Sequence, residues 1–150
     1  MPISQRMLEP RTAQLLHVED DDLCIMGLVR AFKKAKIANP VSFAHDGIDA
    51  LEMLRGTNGR PRFPRPFLIL LDLNMPRMDG IEFLKELRKD ENLKKSIVFI
   101  MTTSDTDEDK VKAYNLGVAG YILKTNPANA FLEATALLGT YWRVVEFPAT

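Results

Sequence analysis

The chain has 150 residues, 46% apolar and 27% charged, a length and balance that suit one domain with a true apolar core. Its 20 Lys and Arg offset 20 Asp and Glu, so no global field draws it to nucleic acid or a membrane surface. A lone cysteine, Cys24, excludes an internal disulfide, apolar runs are strand-length, and a polar start with Arg6, Glu9 and Arg11 is no signal peptide; the chain reads as cytosolic.

Residues 1–13 are polar, hold two prolines and show no period, as a loose arm would. Gln14–Val18 then reads as a strand. Asp21–Lys36 reads as a helix, with Ile25, Val29, Phe32 and Lys36 near one stripe and Met26 and Leu28 beside it. Val41–Ala44 is a short strand closed by the turn signal Asp46-Gly47. Ile48–Leu54 is a short helix with Ile48, Leu51 and Leu54 on one face. Arg55–Pro66 is a linker rich in Gly, Pro and Arg. The unbroken apolar run Phe67–Leu71 is a strand buried on both faces, as in a parallel sheet.

Gly80–Lys89 follows as a helix with Ile81, Leu84 and Leu87 inward, then the strand Ile97–Met101. Thr106–Leu116 is a helix closed by Gly117 at C′. Gly120–Leu123 is the fifth strand. Asn126 as N-cap and Pro127 at N1 open the last helix, which runs through Leu138 with Val145 as its outer limit. Five βα units predict an α/β fold, a doubly wound five-stranded parallel sheet in the flavodoxin-like order 2-1-3-4-5, with a C-terminal extension. The expected division is an arm over 1–13, a domain over 14–138, and helix end plus arm over 139–150.

Four of these strands run into reactive side chains: Glu19-Asp20, Asp72, Thr102 and Lys124. Parallel strands align their carboxyl ends along one edge, where ligands bind, so these groups should converge. Three carboxylates that close repel, and something positive must neutralise them. Lys124 supplies one charge. A few partly solvated oxygen donors suit Mg²⁺, which favours a phosphate as co-ligand. The bland alternative makes a carboxylate the N-cap of the first helix, a duty that Asp21 or Asp22 could take instead.

Four segments carry a family resemblance: Val-Glu-Asp-Asp at 18–21, Leu-Asp-Leu-Asn-Met-Pro-Arg-Met-Asp-Gly at 71–80, Met-Thr at 101–102 and Gly-Tyr-Ile-Leu-Lys at 120–124. Over about Gln14 to Leu138 the chain resembles the receiver domain of two-component response regulators, and the 71–80 segment is highly specific. The resemblance implies that Asp72 is the phosphoacceptor. It implies that Asp20 and Asp72 ligate Mg²⁺ directly, Glu19 through water, and Asn74 through its backbone carbonyl. Lys124 and Mg²⁺ would neutralise the phosphoryl oxygens. Thr102 would meet a phosphoryl oxygen, and Tyr121 would be the aromatic rotor that follows it. Plain readings compete: Thr102 as a β-branched strand end beside Thr103, and Tyr121 as a core-edge ring with a wet hydroxyl.

The family has proline after the lysine; here Thr125 stands there, and a cis bond to threonine would cost about 3 kcal/mol. Either the bond is trans and the loop differs, or strain is kept. His17 reads as a core or cross-strand residue, His45 precedes a turn, and neither has a partner at zinc spacing. Cys24 reads as semi-buried. Arg55, Arg60, Arg62 and Arg65 suit a solvated loop better than a docking patch. The apolar end with Tyr141, Trp142, Val144, Val145 and Phe147 must be covered, by its own helix or by a second subunit. With the basic loop it resembles stand-alone regulators of bacterial phytochrome and related kinases. A homodimer through the last helix and arm is expected.

These features imply a cytoplasmic single-domain regulator phosphorylated by a sensor histidine kinase, with no nucleic-acid or membrane partner, and no enzyme beyond its own phosphorylation and dephosphorylation. Two rivals remain. A Mg²⁺-dependent phosphatase with an aspartyl nucleophile usually has an acid where Asn74 stands. A pseudo-receiver would bind partners without phosphorylation.

Overall fold

The computed structural model describes residues 13–124 and 127–144. Five strands, β1 (Gln14–Val18), β2 (Val41–Ala44), β3 (Phe67–Leu71), β4 (Ile97–Thr102) and β5 (Gly120–Leu123), alternate with five helices, α1 (Asp22–Lys34), α2 (Gly47–Arg55), α3 (Gly80–Lys89), α4 (Asp107–Asn115) and α5 (Pro127–Val144). All strand pairs are parallel, and the order is β2-β1-β3-β4-β5. This is the flavodoxin-like order expected from the sequence.

Period-two alternation sorts each inner strand between two cores. Leu16, Val18, Ile69, Leu71, Val98 and Ile100 face α2, α3 and α4. Leu15, Leu68, Leu70, Phe99 and Met101 face α1 and α5. Every residue of β3 is buried, as its unbroken apolar run requires. His17 is also buried, with its ring tilted against Phe43 6.0 Å away.

Helix α1 departs from the expected stripe. Leu28 and Phe32 are its buried pair, spaced i, i+4, and Cys24 is half-buried one turn earlier. Val29 and Met26 are 45% and 48% exposed. The helix ends at Lys34 because Lys36 takes a left-handed φ of 58°. Its start is fixed by Asp21, which caps the Leu23 N–H at 2.9 Å and frees Glu19 and Asp20 from that duty. On α3 Leu84 and Leu87 are fully buried as expected, Ile81 only in part, and Phe83 joins them. Gly117 has the left-handed φ of 77° expected after α4.

The arginine-rich linker is knitted to the body. Arg55 pairs with Asp90 at 3.0 Å and Arg60 with Asp49 at 2.6 Å. Arg65 donates to the Asn92 carbonyl and lies over the Phe67 ring. Ala13, counted with the N-terminal arm, is buried, and its carbonyl accepts from Asn39 at 2.9 Å. At the other end Tyr141 packs edge-on against Phe99 of its own sheet. The rest of the N-terminal arm, the Lys124–Thr125 bond, the Asn126 cap and residues 145–150 lie outside the described residues. Among the described residues, no helix is long and apolar enough to cross a membrane.

Arg88 closes the end of the sheet opposite the strand-end carboxylates. Its guanidinium donates to the carbonyls of Leu116 (2.6 Å), Gly117 (3.1 Å), Lys94 (2.8 Å) and Ser96 (2.7 Å). Five planar donors on one rigid group suit carbonyls that diverge from two loops. Arg88→Met keeps the stem but orphans those carbonyls, and should lower stability by about 2–4 kcal/mol. Urea unfolding would show a lower midpoint with an unchanged slope; an unchanged midpoint would mean water replaces the guanidinium freely.

Candidate functional site

The ladders run one step past the strands and set the site. Asp72 donates its N–H to Val18 O at 3.0 Å, Glu19 to Ala44 O at 2.8 Å, and Lys124 to Thr102 O at 2.8 Å. Side chains from neighbouring strands therefore leave one edge about 5 Å apart. Glu19, Asp20 and Asp72 each bring one carboxylate oxygen within 4.8 Å of the others. Glu19 and Asp72 are buried, while Asp20 faces solvent. The convergence expected of these three is present.

Lys124 completes the cluster. Its Nζ donates to Glu19 Oε1 at 2.6 Å and lies 3.5 Å from Asp72 Oδ2. Both Glu19 and Lys124 are buried. Burial pushes the Glu19 carboxyl up to about 7, against the pull of the Lys124 hydrogen bond and with a further push from Asp72. Burial works to lower the Lys124 ammonium, but Glu19 and Asp72 outweigh it and hold its pKa above the usual range. His17, under the same edge, is pushed down to about 3 by burial and the Lys124 charge, so it stays neutral. Three carboxylates thus face one ammonium. That excess of hard, negative oxygens, with one member open to water, fits a divalent cation held by Asp20, Asp72 and Glu19.

Asn74 is exposed, and its N–H lies 3.4 Å from Asp72 Oδ1. The chain can turn back here because Gly80 has no side chain: a Cβ would stand 2.5 Å from the Asp72 carbonyl and 2.7 Å from Leu73 Cα. Gly80 N–H then bonds Leu73 O at 3.0 Å, and a capping box of Asp79 and Glu82 opens α3.

Of the two adjacent threonines, Thr102 is buried at the edge and Thr103 is exposed. The Thr102 hydroxyl accepts the Ser104 N–H at 3.3 Å. The Tyr121 hydroxyl donates to Ser104 O at 2.8 Å, and its half-buried ring packs against the core beneath α4. Its hydroxyl is therefore bonded to protein rather than only to water.

Sequence reasoning missed three neighbours. Ser104 links Thr102 to Tyr121, a role that its place two residues after Thr102 could have signalled. Cys24 Sγ lies 3.6 Å from Lys124 Nζ; burial pushes its thiol up to about 11, which makes it a poor nucleophile. Asp46, read only as a turn residue, is buried and bonded to Arg77 at 2.6 Å, a contact across 31 residues with no local signal.

Comparison with known proteins agrees with this geometry. The response regulator receiver domain model matches residues 15–136. The chain is 32% identical over 128 residues to the probable methanogenesis regulatory protein FilR2 of Methanothrix harundinacea, covering 85% of this chain and 82% of that protein. It is 31% identical over 136 residues to response regulator Rcp1 of Synechocystis sp., covering 90% and 92%. The Mn²⁺-bound form of Rcp1 superposes with a TM-score of 0.82 at 31% identity, over 91% of this chain and 99% of that one. The phosphorylated cyanobacterial phytochrome response regulator RcpA gives 0.83 at 30% identity, over 93% and 100%. With the sheet order, the acidic cluster and Lys124 all in place, the chain belongs to the response regulator receiver domains of two-component systems.

Proposed function

We propose that Asp72 accepts a phosphoryl group from a phosphohistidine of a partner sensor histidine kinase, and that residues 14–138 form the unit that does so. The observation that carries this reading is Lys124 Nζ at 2.6 Å from Glu19 and 3.5 Å from Asp72, beside three converging carboxylates. A carboxylate oxygen of Asp72 attacks phosphorus as the P–N bond to imidazole breaks and its electron pair returns to nitrogen. Mg²⁺, held by Asp20, Asp72, the Asn74 backbone carbonyl and, through water, Glu19, would supply charge neutralisation for the equatorial oxygens. Lys124 holds a positive charge against the same oxygens. The protein catalyses only its own phosphorylation and dephosphorylation. Asn74, at the position where aspartyl phosphatases usually carry a second acid, speaks against the phosphatase alternative.

The output follows from the Thr102–Ser104–Tyr121 linkage. A Thr102 hydroxyl that turns to donate to a phosphoryl oxygen lets go of the Ser104 N–H. Ser104 can then shift, and Tyr121 loses its carbonyl partner and turns inward. Helix α4 can follow cheaply: Ala113 is its one buried residue, while Val111 and Tyr114 are more than half exposed. The message passes by partner binding or relay of the phosphoryl group. RcpA, a cyanobacterial phytochrome response regulator, supports a kinase of the bacterial phytochrome class as the source. A homodimer through the last helix and the C-terminal arm belongs to the same reading.

Asp72→Asn should take up no phosphate from a kinase or from acetyl phosphate, measured with labelled phosphate; labelling equal to wild type would assign the acceptor elsewhere. A proton on Glu19 removes a negative charge and an acceptor for the bridging water from the Mg²⁺ site. Because the Glu19 carboxyl is pushed up to about 7, it protonates as pH falls through that value. Mg²⁺ binding by calorimetry should therefore weaken by about tenfold per unit below neutrality. An affinity flat from about pH 8 to about pH 6 would contradict this electrostatic picture. Sedimentation equilibrium should give a dimer mass at micromolar concentration; a monomer with and without a beryllium fluoride phosphate mimic would dismiss the subunit contact.

A further inference from the structure

The loop from Leu73 to Asp79 carries Asn74, and its far end is pinned to another corner of the molecule. Arg77, three residues past Asn74, adopts a left-handed φ of 61°, a conformation that costs a non-glycine residue energy. Its Nε donates to Asp46 Oδ2 at 2.6 Å. Asp46 is 4% exposed, and its other oxygen, Oδ1, caps α2 by accepting the Asp49 N–H at 2.9 Å. Burial alone would raise the Asp46 carboxyl, but the Arg77 and Asp49 hydrogen bonds hold it below the usual carboxylate range.

Two further contacts run alongside. Gly47 donates its N–H to Met78 O at 3.1 Å, and a Cβ on Gly47 would strike the Met78 side chain at 2.7 Å. Met78 N–H in turn bonds Pro76 O at 2.7 Å. The strained arginine, the buried carboxylate and the glycine seat therefore act on one loop from one side.

We propose that the Asp46–Arg77 pair is a positioning device for the phosphorylation site. It holds the 73–79 loop against the start of α2, so that the Asn74 carbonyl is set for the metal before the ion arrives. It rests on the reading of Asp72 and its neighbours as a Mg²⁺-dependent acceptor site, which it deepens. Neither residue touches the reacting atoms. Strain at Arg77 is kept because the ion pair offsets it, and what the strain secures is a preorganised backbone ligand.

Two variants separate positioning from mere stability. Arg77→Gly removes the ion pair but relieves the left-handed strain, which offsets part of the cost of leaving Asp46 with only its backbone N–H partners. The protein should therefore stay folded, with its melting temperature lowered by no more than about 8 °C. Asp46→Asn keeps the helix cap through Oδ1 but turns a donor toward Arg77. Both should weaken Mg²⁺ binding by about tenfold and shorten the phosphoryl lifetime. In the metal-free protein both should speed amide hydrogen exchange at Gly47, Met78 and Gly80. Arg77→Lys should recover most of the Mg²⁺ affinity. Wild-type Mg²⁺ affinity and wild-type exchange in Arg77→Gly would overturn the inference while leaving the acceptor reading intact. A wild-type protein that binds no Mg²⁺ would overturn both.

Discussion

A buried lysine held by two carboxylates is the interaction on which the rest of this edge depends. Glu19 and Lys124 are 105 residues apart, yet their charges meet at 2.6 Å out of solvent. Removing one partner of such a pair leaves the other charge stranded, at a cost of about 3–5 kcal/mol. The contact thus ties the end of β1 to the end of β5 across β3 and β4. It also leaves the carboxylates under-neutralised, since Glu19 and Asp72 share one ammonium and Asp20 adds a third carboxylate beside them. A protein fold would not keep that imbalance for stability alone. It is tolerable because the edge is open at Asp20 to water and cations.

The two ends of the sheet are built for different tasks. At the far end, Arg88 satisfies four carbonyls and makes a closed, fully bonded junction. At the carboxylate end, the connection after β4 hangs on a few polar contacts of Ser104, with Thr102, Tyr121 and Asp109. Hydrogen bonds of this kind contribute about 1 kcal/mol each and can be exchanged for others at small cost. A rigid sheet with exchangeable loops at one edge is what a binding-triggered change of shape requires.

Reading the sequence went furthest where period and composition speak locally. The buried run of β3, Gly117 beyond α4 and the carboxylates after β1 and β3 all followed from neighbours a few residues apart, and the strand order from the succession of five βα units. The reading failed on α1, where several apolar residues compete for one face. Sequence periodicity placed Phe32 inward, as it is, but favoured Val29 over Leu28, which the face presented to β3 and α5 holds instead. Met26 and Leu23 are left in water. Hydrophobicity says that a stripe exists; only the angle at which the helix meets its sheet selects the stripe. The linker arginines likewise looked free, and pairing with Asp49 and Asp90 became visible only in three dimensions.

From its amino acids alone the protein is an alternating α/β chain whose strand ends carry Glu19, Asp20, Asp72, Thr102 and Lys124. Parallel strands must then place those groups on one edge, because every crossover returns the chain to the same starting side. Tertiary structure decided which charges pair. Lys124 sits closer to Glu19 than to Asp72, Asp46 takes Arg77, and Arg88 takes carbonyls rather than an acid. Such choices depend on side-chain reach and burial between segments far apart in the chain. No local pattern encodes those distances, and packing sets them.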